Sequence, residues 1–420
     1  GKEDRMKVKI LILKLIILLT VTNHAQLSIY SSASYGYYQN PLYNYQELDD
    51  QLKQTYTELG YSKEFDLSKL NLSYISGLVL FNRFEDRNYY EHNLTSTYLL
   101  NFKEVKTDTD YPEIVSNDSI SSLLILSLKV GGRHDKEIFQ DFNNFGTSAL
   151  AGYKFMISDD YYIELTNTFG YRDYTNITVL SNITDILNLQ IGNKINSTFN
   201  YGLNISGGFK YYTESIYDTS KFEVERSFTT KYTGKGKTGA KITVPSEKGI
   251  LISPMENGTA QFVADIFMRT HWGKTALQTN ILYRYNPNTL VRYLAQYSNT
   301  TFLTEDIYND YFSYEGFEIR SEFTQKLFYD IEIKLDLLFQ QKLFGAPALD
   351  LVGTKTADQR VDLRTFSELY ISRYFNLSDN LGMGIALSSG FIRNQSNDAY
   401  NNFSSYYISL SIGFGFYTEF

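Results

Sequence analysis

The 420-residue chain contains no cysteine, a single tryptophan and only six prolines. Without cysteine there are no disulfides, no thiolate metal sites and no acylated lipoprotein anchor, so the fold has no covalent staple. After the first 25 residues no apolar run approaches the ~18 residues of a transmembrane helix. Basic residues are outnumbered, with 39 Lys and Arg against 47 Asp and Glu, a net charge of −8. Leaving out residues 1–25 removes five basic and two acidic residues and takes the balance to −11. Nucleic-acid binding needs a basic footprint, so that class of partner is excluded. Beyond the first 25 residues the histidines are His92, His134 and His271, far apart in sequence. Neither a metal nor a cofactor is expected.

The chain is rich in aromatics, with 37 Tyr and 29 Phe. Aromatic residues favour strands and collect at membrane interfaces. The N-terminal segment has a different character. Met6-Lys-Val-Lys9 is a short basic region, followed by an apolar run from Ile10 to Val21 broken only by Lys14, and then by Asn23-His24-Ala25. This is the pattern of a secretory signal peptide, with Gly1–Arg5 as an upstream extension; a buried N-terminal helix is the alternative. Residues 1–25 are therefore expected to form the leader and 26–420 the mature chain. Composition does not break along it, which favours one large sheet over two domains.

Alternation dominates the mature chain. In Ile331–Phe339, Ile331, Ile333, Leu335, Leu337 and Phe339 share one face, opposite Glu332, Lys334 and Asp336. In Tyr161–Arg172, Tyr161, Ile163, Leu165, Phe169 and Tyr171 oppose Glu164, Thr166, Thr168 and Arg172. Phe317, Ile319, Phe323 and Leu327 oppose Glu318, Arg320, Glu322 and Lys326. Period-two patterning this long, with charge on one face, is the mark of strands that face lipid outside and water inside. A soluble sandwich also alternates, but on shorter strands with Pro-richer turns. The last segment, Ser404–Phe420, sets Tyr406, Ile408, Leu410, Ile412, Phe414 and Phe416 against small or polar neighbours and stops on an aromatic. As a free edge it would invite aggregation; in a closed barrel it pairs with the first strand.

Sixteen such segments are expected, the weakest being Gln51–Tyr61, whose faces are poorly separated. Bacterial barrels of this kind have an even strand number with both termini periplasmic. Counting back from Phe420, short connectors alternate with longer external ones. Asn376–Asp379, Tyr329–Asp330, His271–Gly273, Asn196–Ser197 and Ser158–Asp160 fall on the short side. Asn394–Asn402, Gly345–Gln359, Pro287–Tyr311, Glu214–Asn257 and Asp173–Asn182 fall on the long side. Glu104–Asn117 is long for a periplasmic connector. The expected fold is an all-β, transmembrane, antiparallel up-and-down barrel of 16 strands. The alternative is 14 strands with an N-terminal plug from residues 26–66.

Alternation assigns Glu164, Glu318, Arg320, Glu322, Lys326, Glu332, Lys334, Asp336, Asp362, Arg364 and Glu368 to the inner face. At this strand number side chains cannot fill the interior. The mixed charges either set up a field across a water-filled lumen or pair across strands and solvate the wall. The connector 214–257 is expected to be an external loop. It carries Lys231, Lys235, Lys237 and Lys241 with no intervening acid, as a solvated charge run or as a patch for the phosphates of surface glycolipid. Gly236-Lys237-Thr238 fails as a phosphate-binding loop, because Lys231 stands where the first glycine is needed. His134-Asp135 could form a base and its orienting acid, on the weak signal of a dipeptide.

The terminal aromatic strand, the Tyr/Phe-rich alternation and the tight turns resemble porin-like Gram-negative outer-membrane β-barrels over the whole chain. That resemblance implies residence in the outer membrane among its lipid and glycolipid. It also implies delivery to the barrel-assembly machinery through the strand ending in Phe420. The functional expectation is a passive channel for small hydrophilic solutes and not an enzyme. A surface scaffold, adhesin or assembly partner with a plugged lumen is the second reading, and a hydrolase centred on His134 the third.

Overall fold

The computed structural model describes residues 25–41, 49–103, 121–136, 143–158, 160–176, 178–196, 198–215, 257–287, 311–351 and 354–419, with residue 140 and short stretches between 217 and 254. Residues 1–24 of the segment expected to be the leader, Glu104–Asn117, Phe420 and the four lysines of the 231–241 stretch lie outside the described residues, and Ala25 opens the first strand. Sixteen strands form the wall: β1 Ala25–Gln39, β2 Asp49–Glu64, β3 Ser68–Phe81, β4 Tyr89–Lys103, β5 Ser121–Asp135, β6 Asn144–Met156, β7 Tyr161–Tyr174 and β8 Asn182–Asn196. They continue as β9 Phe199–Tyr212, β10 Gly258–Trp272, β11 Thr275–Tyr285, β12 Tyr314–Lys326, β13 Ile331–Leu349, β14 Lys355–Asn376, β15 Leu381–Ser396 and β16 Phe403–Glu419.

Every strand pairs antiparallel with its sequence neighbours, and the sheet is a closed barrel. Closure runs between β1 and β16, from Gln26 opposite Glu419 to Gln39 opposite Tyr406. No edge is left to be satisfied by solvent or lipid, as a hydrocarbon environment demands. The fourteen-strand alternative is thereby excluded. Its proposed plug contributes two wall strands, and β2 is paired along its length with β1 and β3.

The registers sort the side chains into two unbroken sets. Following one level around the ring, Leu59 stands beside Tyr74, Tyr74 beside Leu94 and Leu94 beside Val130. This set contains the exposed aliphatics, among them Leu128 at 53 % and Ile266 at 59 % relative exposure. Large apolar side chains left open in a closed wall form a lipid-facing band. Aromatics mark its margins: Phe102, Phe155, Tyr161 and Trp272 toward the rim that carries both termini, and Tyr90, Phe145, Phe209 and Tyr285 toward the opposite rim. The second set holds most of the charged residues and points inward; Lys53 and Asp185 are among the exceptions near the rim opposite the termini.

Turns at the terminal rim are tight, apart from the connector 104–120, which lies outside the described residues. Leu327 N–H donates to the Ile331 carbonyl at 2.7 Å, and Tyr329 and Asp330 between them take φ of 55° and 56°. Two successive left-handed residues give the mirror-image turn whose twist matches a β-hairpin. At the other rim one expectation is corrected. The segment Gly345–Gln359 is largely strand, because β13 reaches Leu349 and β14 starts at Lys355, leaving only 350–354 as connector. Register shifts at Leu343/Pro347 and Pro347/Leu349 absorb Pro347 in a bulged stretch, where its missing N–H is tolerated. In the 214–257 connector, Tyr217 pairs with Pro254, Val224 with Gly249 and Thr229 with Thr243. These nested registers pair the described residues of the connector as two antiparallel arms between β9 and β10.

Candidate functional site on the inner face

The inner wall is asymmetric. On β11–β15 it is densely paired. Arg284 donates to the Tyr314 hydroxyl at 2.8 Å, Gln340 donates to the same oxygen at 3.1 Å, and Gln340 also donates to Glu318 at 2.7 Å. Arg320 forms a two-pronged bond to Asp336 at 3.2 and 2.5 Å, and Lys334 meets Glu322 at 2.8 Å. Arg360 and Asp362, 1 % and 0 % exposed, form a buried pair beneath the Phe344 ring, and Ser396 donates to the same carboxylate. Glu368 accepts from the Tyr407 hydroxyl. Across this wall opposite charges face one another on neighbouring strands, the arrangement that stabilises cross-strand pairs.

All eleven residues singled out from the sequence share this polar set by register. Besides those just named, Glu164 lies 4.0 Å from Lys154, Lys326 stands opposite Glu332 near the terminal rim, and Arg364 stands opposite Gln340 and Asn394. The structure thus joins most of them in local pairs rather than in one cluster.

The residues just before β12, Tyr311–Ser313, turn inward. Phe312 sits against Gly208 of β9, where an added Cβ would stand 3.1 Å from the ring. The Tyr311 carbonyl accepts from the Gln261 side chain, and the Arg284 guanidinium lies 4.7 Å from the Tyr311 ring centroid. Asn286 donates to the Tyr314 carbonyl at 2.8 Å. These contacts anchor two aromatic rings inside the mouth, and the hollow beside them is bounded by Tyr311 and Phe312.

That hollow, about 600 Å³, lies against β4–β9. Gly131 stands opposite Gly146, with Gly170 one step deeper opposite Ser148. Three neighbouring positions on the inner face thus lack side chains. The surrounding cations are Lys129, Arg133, Arg172 and Lys210, with Glu91 the one carboxylate in the lining. Arg133 is held in a two-pronged bond to Asp135 at 2.9 and 2.7 Å and stacks 3.8 Å from the Tyr89 centroid. Beyond the strands, Arg87 in the turn before β4 is 3 % exposed. Burial lowers its pKa to about 9, the neighbouring Arg133 charge pushes in the same direction, and Asp135 and Tyr89 oppose them.

The His134-Asp135 dyad does not form. His134 belongs to the outward set beside Tyr90 and stacks on His92 at 5.7 Å, whereas Asp135 points inward to Arg133. Consecutive strand residues face opposite sides, so neither can orient the other. Among the described residues no group of three or more His, Asp or Glu side chains is placed to hold a metal.

The sequence matches no protein-family model, and no curated protein matches it. Solved structures similar in outline are outer-membrane proteins of Pseudomonas aeruginosa. OccK2 (OpdF) is 12 % identical with a TM-score of 0.45, over 95 % of this chain and all of that one. OprD is 9 % identical at 0.43, over 95 % and 97 %, and OpdQ 10 % identical at 0.41, over 94 % and 97 %. The assignment rests on the wall itself, with its closed pairing, apolar outer band, aromatic margins and tight turns at the terminal rim. The chain is a closed sixteen-strand antiparallel β-barrel with the wall of a transmembrane barrel of the outer-membrane type.

Proposed function

We propose that the barrel is a passive channel for small hydrophilic solutes, with the eleven charged residues of the inner face along its water path. The observation that carries this reading is the sorting of the wall: the exposed aliphatic side chains face outward, while the charged side chains lie mainly on the inward set, with exceptions toward the rims such as Lys53, Asp185 and Arg373. An interior this wide and polar is solvated rather than packed. Paired charges such as Arg320–Asp336 and Glu322–Lys334 leave alternating signs along one side of that path.

Planar-bilayer recording of the refolded protein tests it. Discrete conductance steps that scale with salt are expected. A protein that folds, as judged by heat-modifiable gel mobility, but never conducts would overturn the channel reading and shift attention to the external connectors.

A further inference from the structure

The hollow against β4–β9 departs from the rest of the inner wall in its charge. The chain as a whole is acidic, at −8, yet this lining carries four cations and one carboxylate. Arg133 is matched by Asp135. Lys129 and Arg172 are both exposed to the hollow, and neither has a hydrogen-bond or ion-pair partner among the described residues. Elsewhere on the inner face Arg320, Lys334 and Arg360 each meet a carboxylate within 2.8 Å.

Geometry brings the two unmatched cations over the same floor. Lys129 on β5 is level with Ser148 and Gly170, and Arg172 on β7 is level with Gly146 and Gly131. Two strands and two residues of offset separate their Cα atoms by roughly 12 Å. Long side chains reaching toward one another close most of that gap. The Arg172 Nε is 3.9 Å from where a Gly146 Cβ would stand, so the guanidinium lies over the bare backbone between them. The missing side chain at 146 leaves volume that an occupant would fill, with nothing nearer than 3.6 Å to where its Cβ would stand, while Asn93 and the Thr184 hydroxyl lie over Gly131 and Gly170. Phe312 and Tyr311 close one side with apolar surface.

We propose that this hollow is a binding site for a small oxyanion, a carboxylate or a phosphate group held between Lys129 and Arg172 above Gly146. Guanidinium and ammonium groups recognise either through charge-assisted hydrogen bonds, the guanidinium with two parallel N–H donors. As a station on a transport path the site rests on the channel reading; as a binding site it does not. Solute passing through such a barrel would run close to the β4–β9 side, where Lys129 and Arg172 face the hollow.

The test separates the two readings. Binding of inorganic phosphate and of succinate to the folded barrel in detergent is measured by equilibrium dialysis at low salt. Ion selectivity is measured in parallel from reversal potentials in bilayers. Saturable binding of at least one probe is expected. It should weaken tenfold or more in Lys129→Gln/Arg172→Gln and be unchanged in Lys53→Gln, which removes a charge from the outer face. Gly146→Leu should abolish binding by filling the floor. If that variant fails to fold, the charge-neutralised pair still decides. Phosphate binding without succinate binding identifies a tetrahedral oxyanion, and the reverse a carboxylate. Absence of saturable binding of both, or a double variant that binds as the parent does, overturns the site. Conductance without binding leaves the channel standing and removes the site; binding without conductance does the opposite.

Discussion

The Tyr30 side chain of the first strand lies over Gly413 of the last, where any Cβ would collide with its phenol. The same seam contains Gly36, whose added Cβ would stand 2.5 Å from the Ser409 Cβ and 2.7 Å from the Ile408 carbonyl. The two glycines have different obstacles. Tyr30 is 40 % exposed and can swing aside, while the Ile408 backbone cannot. Gly36→Ala is expected to destabilise the barrel by about 1–3 kcal/mol, as overpacking does. Gly413→Ala should cost under about 1 kcal/mol, in the range of ordinary surface changes. Urea unfolding in detergent reads both, and equal losses would contradict the account.

The outward and inward sets can be told apart on one strand. Leu128 faces outward, while its neighbour Ser127 faces inward with its hydroxyl 3.0 Å from that of Thr97. Leu128→Arg should cost about 2–4 kcal/mol in bilayers, the penalty for a cation in the middle of a lipid-facing wall. Ser127→Arg should be close to neutral. Refolding yields into vesicles, compared for the two variants, check the assignment; the reverse order would invert the wall.

The buried Arg360–Asp362 pair behaves differently from the exposed ones. Asp362→Ala leaves a guanidinium buried without its carboxylate and is expected to cost about 3–5 kcal/mol. Replacing both, as Arg360→Met/Asp362→Leu, removes the stranded charge and should recover most of that loss. By contrast, Lys334→Ala breaks a half-exposed pair and should cost at most about 1 kcal/mol. A double variant no more stable than Asp362→Ala alone would show that the pair acts through shape rather than charge.

The Tyr329–Asp330 turn holds two non-glycine residues in the left-handed region. Asn-Gly is the preferred dipeptide for such a turn. Tyr329→Asn/Asp330→Gly is therefore expected to raise stability by about 1 kcal/mol, relieving a cost of that order per left-handed residue. A lower urea midpoint for this variant would show that the exposed Tyr329 ring, packed edge-on against Phe328, contributes more than the backbone strain removes.

The strands are legible in the sequence because a two-sided wall writes its environment into every second residue. Gln51–Tyr61 is the faintest for a physical reason. Its outward positions toward the upper rim are Gln51, Lys53, Thr55 and Thr57, so the contrast with the inward side is lost until Leu59. Gly345–Gln359 misleads because Gly345 and Pro347 are turn formers by composition, and only the bulged register shows them inside a strand. The His134-Asp135 dyad runs against the alternation rule itself, because both residues belong to β5, which continues to Asp135. Lys129 and Arg172 each look like one more polar residue on its strand. That Gly131, Gly146 and Gly170 fall side by side beneath them is a property of pairing register, which no single strand carries.

Trp272 stands on the outward side of β10, at the end nearest the tight Gly273–Lys274 turn, and is half exposed. It is the one indole in the chain. Its fluorescence therefore reports on a single latitude of the barrel, the lower aromatic margin, without an introduced label. During refolding into vesicles, a blue shift of its emission would time the arrival of that rim at the headgroups. The tyrosine-rich upper margin would contribute nothing to the signal.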